Sequence, residues 1–273
     1  MKISVSQIKR HIECPMKAHF EYTLLRGQDK RAVALDIGSL AHLVLEAKLT
    51  KVADWRKLTD EYLAELPPEV SVEVGEEFDV LAPSLELWEP PDDWEILGTE
   101  VEMEIPCGRH TIVGRLDAPI RWNGSLWHLQ HKTLGATVPL GAFCEQQRTD
   151  WHESVYHRML QRAYPDNVEG TVLNIIRKLS AKRLAENPRD ALVPPQYLPR
   201  TDELVSEALD DLSQLIDDIE AGRDGTRRII KCRSACAGPY RNSLCAYKPV
   251  CDGDVEISSD MFVDLEPRYA TDV

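Results

Sequence analysis

An Asn-Gly pair at positions 123 and 124 separates two expected strands, 111–121 and 125–133. No short dipeptide signals a hairpin more strongly, because a two-residue type I′ turn needs positive φ at both central residues. Such a turn also fixes register. Trp122 must face Ser125, and counting outward from that pair puts Asp117 opposite Gln130 and Arg115 opposite Lys132. Residues two apart share a strand face, so Asp117, Gln130 and Lys132 are expected to converge on one side. Pro119 is the position at which a bulge would break this register.

The flanking patterns supply the rest of a mixed α/β chain. Residues 4–24 read as a helix interrupted at Pro15, with Ser6 as its cap and Cys14 just before the break. A second helix, 37–49, carries Leu40, Leu43, Val44 and Ala47 on one side and places His42 and Glu46 at i and i+4 on a shared face. Two surface helices are expected at 55–66 and 76–88, punctuated by Pro67-Pro68 and Pro90-Pro91. Strict alternation at 100–105, with Val101, Met103 and Ile105 against Glu100, Glu102 and Glu104, predicts a half-buried strand. After the hairpin come a helix at 145–164, a β-branched strand at 171–176 and an amphipathic helix at 202–219. The core order reads α-β-β-β-α-β, without internal repeats.

With 273 residues, 43% of them apolar, the chain is long enough for a full core, and a single domain spanning 1–273 is expected. Its longest uncharged run is twelve residues, between Lys132 and Glu145, whereas a membrane span needs about 20 apolar residues. No membrane partner is expected. The N-terminal residues show no apolar stretch or small-residue cleavage site, which points to a cytoplasmic location. A net charge of −14 argues at first against a polyanionic partner, but the charge is uneven. Residues 60–104 hold 16 acids and no Lys or Arg; the remaining 30 acids face 32 basic residues. Residues 51–96 therefore read as an acidic, mainly helical insertion, and the rest is free to carry basic patches. Two candidates are Arg177, Lys178, Lys182 and Arg183, and Arg227, Arg228, Lys231 and Arg233, either of which could equally be solvated surface.

Seven cysteines in a reducing compartment are better read for metal than for disulfides. Cys232, Cys236, Cys245 and Cys251 fall within the region 227–254, among Gly238, Pro239 and Pro249, which favours a thiolate site over chance packing. Four thiolates suit tetrahedral Zn²⁺ or an iron–sulfur cluster. Cys107 and Cys144 read as core residues, and His11, His19, His110, His128 and His157 carry no assigned role.

An oxygen pair with a lysine beside it is a device for phosphodiester hydrolysis: the oxygens hold Mg²⁺ or Mn²⁺, the metal acidifies a bound water, and the lysine steadies negative charge. The alternative is a solvent-facing hairpin with ordinary charges. Gly114-Arg115-Leu116-Asp117 followed by Leu129-Gln130-His131-Lys132-Thr133 resembles the motif of the PD-(D/E)xK nuclease superfamily, whose restriction-endonuclease-like core has the same αβββαβ order. Gly38 to Glu46, with His42 inside it, resembles the first motif of the RecB-type branch, and His152 to Tyr156 falls where that branch carries Gln-x-x-x-Tyr. Cys14-Pro15 with the C-terminal cysteines is similar to the iron–sulfur staple of AddB-type and CRISPR adaptation nucleases.

The resemblance implies that His42, Asp117, Gln130 and the backbone carbonyl of His131 bind the catalytic Mg²⁺ or Mn²⁺, with Lys132 and Tyr156 catalytic. His152, Arg177 and Lys178 would then contact DNA. It also implies that Cys14, Cys236, Cys245 and Cys251 hold a 4Fe–4S cluster tying the terminal segments together; Cys232 is the rival ligand, in a local zinc knot without Cys14. Two positions depart from the family pattern. Gln130 stands where the motif has its second acid, which leaves Glu46 as a substitute ligand, and His152 stands where the glutamine is usual. The expected activity is a metal-dependent exonuclease acting on DNA with a free end or a single strand, in recombination, repair or phage DNA processing, with a recombination or helicase protein as partner. The alternatives are an inactive nuclease-fold subunit that binds DNA and a zinc-stabilised interaction module.

Overall fold

The computed structural model describes residues 1–27, 33–52, 54–237 and 244–266, so Gly238 and Pro239 lie outside the described residues. In chain order the first elements are β1 (Lys2–Ser4), α1 (Val5–Glu13), α2 (Pro15–Ala18), β2 (Arg26–Gly27), α3 (Val33–Leu49), α4 (Trp55–Ala64), α5 (Pro68–Glu86), β3 (Glu95–Ile96), β4 (Val101–Cys107) and β5 (His110–Leu116). There follow β6 (Ala118–Trp122), β7 (Ser125–Gly135), α6 (Leu140–Thr149), α7 (Trp151–Ala163), β8 (Val168–Lys178), α8 (Ala181–Glu186), β9 (Leu192–Pro199), α9 (Asp202–Arg223), α10 (Lys248–Asp252) and β10 (Val263–Asp264). The chain divides into two compact units, one of residues 32–103 and 115–208, the other of 1–31, 104–114 and 209–273.

The first unit is organised on a five-stranded sheet in the order β3-β6-β7-β8-β9, in which β7 and β8 are parallel and the other pairs antiparallel. A parallel pair needs a crossover, and α6 and α7 provide it. Both faces of β8 are buried, so apolar residues occupy successive positions at Val172-Leu173 and Ile175-Ile176. Val172 and Ile176 join Leu40, Val44 and Leu45 of α3 and Phe78, Leu81 and Leu85 of α5, whereas Leu173 and Ile175 pack with Cys144 of α6. Each fully buried leucine of this kind contributes roughly 2 kcal/mol. Of the two acidic helices, α5 begins at Pro68, earlier than expected, and sends one apolar face into the core while its acids point outward.

In the second unit Ser4, not Ser6, caps α1 and forms a reciprocal capping box with Gln7. Pro15 ends α1 and opens α2, with Cys14 between them. Strand β2 pairs antiparallel with β10, and the Arg26 guanidinium gathers the carbonyls of Ile257, Ser259 and Phe262. Tyr247 stacks on Phe262 at 5.4 Å and packs against Phe20 at 5.2 Å, closing a small aromatic core beside Cys245 and Cys251.

The hairpin register is the one counted from the turn, with Trp122 opposite Ser125 through to Ala118 opposite Leu129. Pro119 makes no bulge. Its carbonyl accepts from the Leu97 N–H, and a residue's N and C=O leave a strand on the same edge, so the missing proton falls on the β3 side and costs the β6–β7 ladder nothing. The expected strand 111–121 is nevertheless two strands. β5 belongs to a three-stranded sheet ordered β1-β5-β4 and β6 to the five-stranded sheet, with the change of sheet at Asp117. The ladder pairs Asp117–Gln130 and Arg115–Lys132 are therefore not formed. The expected helix 145–164 is likewise two, broken at Asp150, whose carboxylate caps α7 by accepting from the His152 N–H.

Candidate active site

Asp117 stands between two strands rather than within one. β7 continues beyond the end of β6, so among the described residues no strand pairs with β7 at His131 on that edge, and the Asp117 Oδ2 accepts the His131 N–H at 2.7 Å. The other oxygen, Oδ1, lies 3.7 Å from Nδ1 of His42 on α3. The Asp117 backbone carbonyl accepts the N–H of Glu100 at 2.8 Å, and the Glu100 carboxylate is 3.5 Å from the same His42 nitrogen. One ligand atom from each of His42, Glu100 and Asp117 lies within 4.8 Å of the others. The side chains are 36%, 25% and 16% exposed, so the cluster opens to solvent.

Burial alone would raise the Asp117 carboxyl, but the neighbouring His42 and the hydrogen bond from the His131 N–H hold it below its ordinary value. Burial would lower His42; Glu100 and Asp117 overcome this and raise it, with a smaller opposing effect from Lys132. The His131 ring is buried, its pKa lowered to about 4 by desolvation, and it stays neutral with Nδ1 hydrogen-bonded to Asn174 at 2.8 Å. An imidazole nitrogen and two carboxylates carry the charge and the hard oxygen that Mg²⁺ or Mn²⁺ requires, so the residues fit such an ion.

Gln130 takes part in a different cluster. Strand alternation sends its side chain to the α7 face, where its amide lies 3.2 Å from Nε2 of His152. His152 Nδ1 is 2.6 Å from Asp150, and Nε2 is 2.9 Å from Glu153, which also receives Thr171 and contacts His128 at 3.4 Å. Tyr156 packs its ring against His128 and His152 at 4.8 and 5.8 Å. Desolvation disfavours the charge on both His152 and Glu153, yet their mutual contact and those of Asp150 and His128 win: His152 rises above 6.5 and Glu153 falls well below 4.5.

A raised histidine contributes stability that is complete below its unfolded value and is lost as pH climbs through the folded one; a depressed glutamate contributes above its unfolded value. The pair therefore supports the fold most fully between pH 4.5 and 6.5. His152→Gln is expected to lower the melting temperature most in that window, with a penalty that shrinks as pH rises. Melting curves from pH 5 to 9 check this, and a penalty that grows with pH would sink the assignment of charge.

The remaining expected residues are placed as follows. Glu46 does not join the cluster; its Oε1 accepts the Thr99 hydroxyl at 2.8 Å. Arg177 is turned onto the carbonyls of Ala136 and Val138, and Lys178 pairs with Glu77 of α5, so both have partners within the protein. Cys107 and Cys144 are buried, as expected. Burial raises the thiols of Cys236 and Cys251, and Cys14 and Cys245 lie close enough to add to that rise. Cys232 is turned to Ser234 instead. Glu100 was missed in the sequence, where alternation assigned it to the polar face of a strand. The strand starts one residue later, at Val101, and Glu100 adopts φ +48°.

The sequence matches the family model of the PD-(D/E)XK nuclease superfamily over residues 2–252. The chain belongs to that superfamily. Eighteen chains of solved structures are similar to it in fold. One is a crystal structure of a "putative exonuclease" from Eubacterium rectale, with a TM-score of 0.53 and 13% identity over 92% of each chain. Comparison with curated proteins finds no match. The mixed α/β architecture is the restriction-endonuclease-like one, with α3, β4, β5 continued as β6, β7, α7 and β8 in the expected order. Superfamily membership supports a nuclease; nucleases of this superfamily use divalent metals, and the acidic cluster is compatible with one. No described helix is long and apolar enough to cross a membrane.

Proposed function

We propose that this nuclease is a metal-dependent deoxyribonuclease of the RecB-type branch, an exonuclease that engages a DNA end in recombination, repair or phage DNA processing. The observation that carries the reading is the convergence of the His42 imidazole on the Asp117 carboxylate, at an unpaired edge of β7, with Lys132 next along that strand. His42, Asp117 and the carbonyl of His131, which leaves β7 on the same edge as the N–H bound to Asp117, would hold Mg²⁺ or Mn²⁺. When bound, the metal supplies Lewis acidity at the scissile phosphate and lowers the pKa of a water.

The chain's own residues do the rest. The His131 N–H fixes one oxygen of Asp117, so the other is held toward His42 without reorganisation. Lys132 offsets the negative charge that develops on the phosphoryl oxygens. Tyr156, held by its ring contacts, is the side chain of α7 assigned to orient the strand. The helical position of His42 and the His152–Tyr156 spacing support the RecB-type reading. Cys14, Cys236, Cys245 and Cys251 are assigned a 4Fe–4S cluster.

The test uses end-labelled linear DNA beside covalently closed circular DNA, with Mn²⁺, with Mg²⁺ and with chelator. Expected is degradation of the linear substrate alone, in the presence of metal and faster in Mn²⁺, because imidazole favours later first-row ions and Mg²⁺ gives up water reluctantly. Cleavage of the closed circle would replace exonuclease with endonuclease. No cleavage of either substrate in either metal would overturn the proposed activity.

A further inference from the structure

We infer that Glu100 supplies the second metal-binding carboxylate of this site, and that Gln130, which occupies that place in the motif, has passed into the buried His152–Glu153 network. The inference rests on the metal site proposed above and assigns one further residue to it.

Two independent sets of contacts carry it. Glu100 is held in place from several directions. Its N–H binds the Asp117 carbonyl, its Oε2 receives Arg115 Nε at 2.8 Å, and the preceding Thr99 is tied to Glu46. These contacts keep a non-glycine residue at φ +48°, a conformation that costs on the order of 1 kcal/mol and persists only when its surroundings impose it. With Arg115 on Oε2, Oε1 is directed at His42 Nδ1, 3.5 Å away. Two carboxylates and an imidazole are thereby gathered around one point, a donor set that suits a divalent cation.

Gln130 has the opposite geometry. Its Nε2 lies 3.2 Å from the Nε2 of His152, and two nitrogens cannot both donate to each other. Either the ring nitrogen accepts from the amide NH₂ or the amide is turned over and its oxygen accepts from the ring, and both tie it to the imidazole that Asp150 and Glu153 flank. A neutral amide committed to that imidazole leaves the site one carboxylate short, and Glu100 restores the charge from the other side of Asp117.

The test measures Mn²⁺ binding to the full-length protein, by titration calorimetry and by the electron paramagnetic resonance of free Mn²⁺, without DNA. Asp117→Asn is the reference for losing a ligand. Glu100→Gln is expected to weaken Mn²⁺ binding roughly tenfold or more, like Asp117→Asn, whereas Gln130→Met, of similar volume, should stay within about threefold of the parent. Glu100→Asp, which keeps the charge, should recover part of the loss and guards against a fold effect, with melting curves on every variant. Parent-like binding by Glu100→Gln beside a weakened Asp117→Asn overturns the inference alone. A Gln130→Met variant as weak as Asp117→Asn also overturns it, by making the glutamine a ligand. Parent-like binding by Asp117→Asn removes the metal site itself, and this inference with it.

Discussion

Asp117→Asn is expected to reduce DNA cleavage by about 10³-fold or more, and Lys132→Met by about 10²-fold or more, each without loss of the fold. Asparagine is isosteric with aspartate and keeps an oxygen for the His131 N–H, so the local backbone has no reason to move. It removes one of the charges that would hold the cation. Several kcal/mol of transition-state stabilisation pass through such an ion, and each 1.36 kcal/mol is a factor of ten in rate. Methionine preserves the apolar stem of Lys132 while deleting a charge needed only as the phosphoryl group becomes more negative, so kcat should fall while Mn²⁺ affinity holds. Rate constants on end-labelled linear DNA, Mn²⁺ titrations and melting curves separate these effects. Parental cleavage by either variant would place the chemistry elsewhere.

The residues behind that prediction were legible in the sequence, but the contacts between them were not. A two-residue turn fixes pairing by counting, and five pairs from Trp122–Ser125 to Ala118–Leu129 follow the count. Counting assumes that a strand stays in one sheet. At Asp117 it does not, because the residues N-terminal to it pair with β1 and β4 while those after it pair with β3 and β7. Alternation of apolar and polar residues is the same for one continuous strand and for two joined at a bend, so periodicity carries no mark of the change. The bend is what frees the Asp117 carboxylate to bind the β7 backbone rather than face a side chain across a ladder.

Glu100 was hidden for a related reason. The pattern of Glu100, Glu102 and Glu104 against Val101, Met103 and Ile105 is that of an exposed strand face, and only the backbone shows that the first acid is turned away from it. The available signal was chemical: a motif that lacks an acid at Gln130 needs another within reach. Sequence spacing offered Glu46, one turn from His42, because neighbours on a helix can be counted whereas neighbours across a fold cannot. Asp150 shows the same limit at shorter range. A helix that reads as continuous from 145 to 164 is broken by one capping carboxylate, which also contacts the ring of His152.

Cys14→Ser is expected to abolish both the iron content and the cooperative folding of the unit that contains it. Protein purified without oxygen should be brown, with roughly four irons per chain, as thiolate ligation of a 4Fe–4S cluster requires. Cys14 lies between α1 and α2, more than two hundred residues from Cys236, Cys245 and Cys251, so a cluster across these four fastens the N-terminal helices to the C-terminal segment. The apolar packing there is small, centred on Phe20, Tyr247 and Phe262. Structural metal sites contribute on the order of 10 kcal/mol, comparable to the whole stability of an ordinary domain, so a core of that size does not replace the cluster. Cys232→Ser serves as the internal control, because its thiol is turned to Ser234, and it should keep the colour, the iron and the melting curve of the parent. Iron analysis, visible absorption near 400 nm and limited proteolysis of the two variants make the comparison. Stoichiometric zinc without iron after anaerobic preparation would rule out the cluster, and a colourless Cys232→Ser beside an intact Cys14→Ser would move the fourth ligand to Cys232.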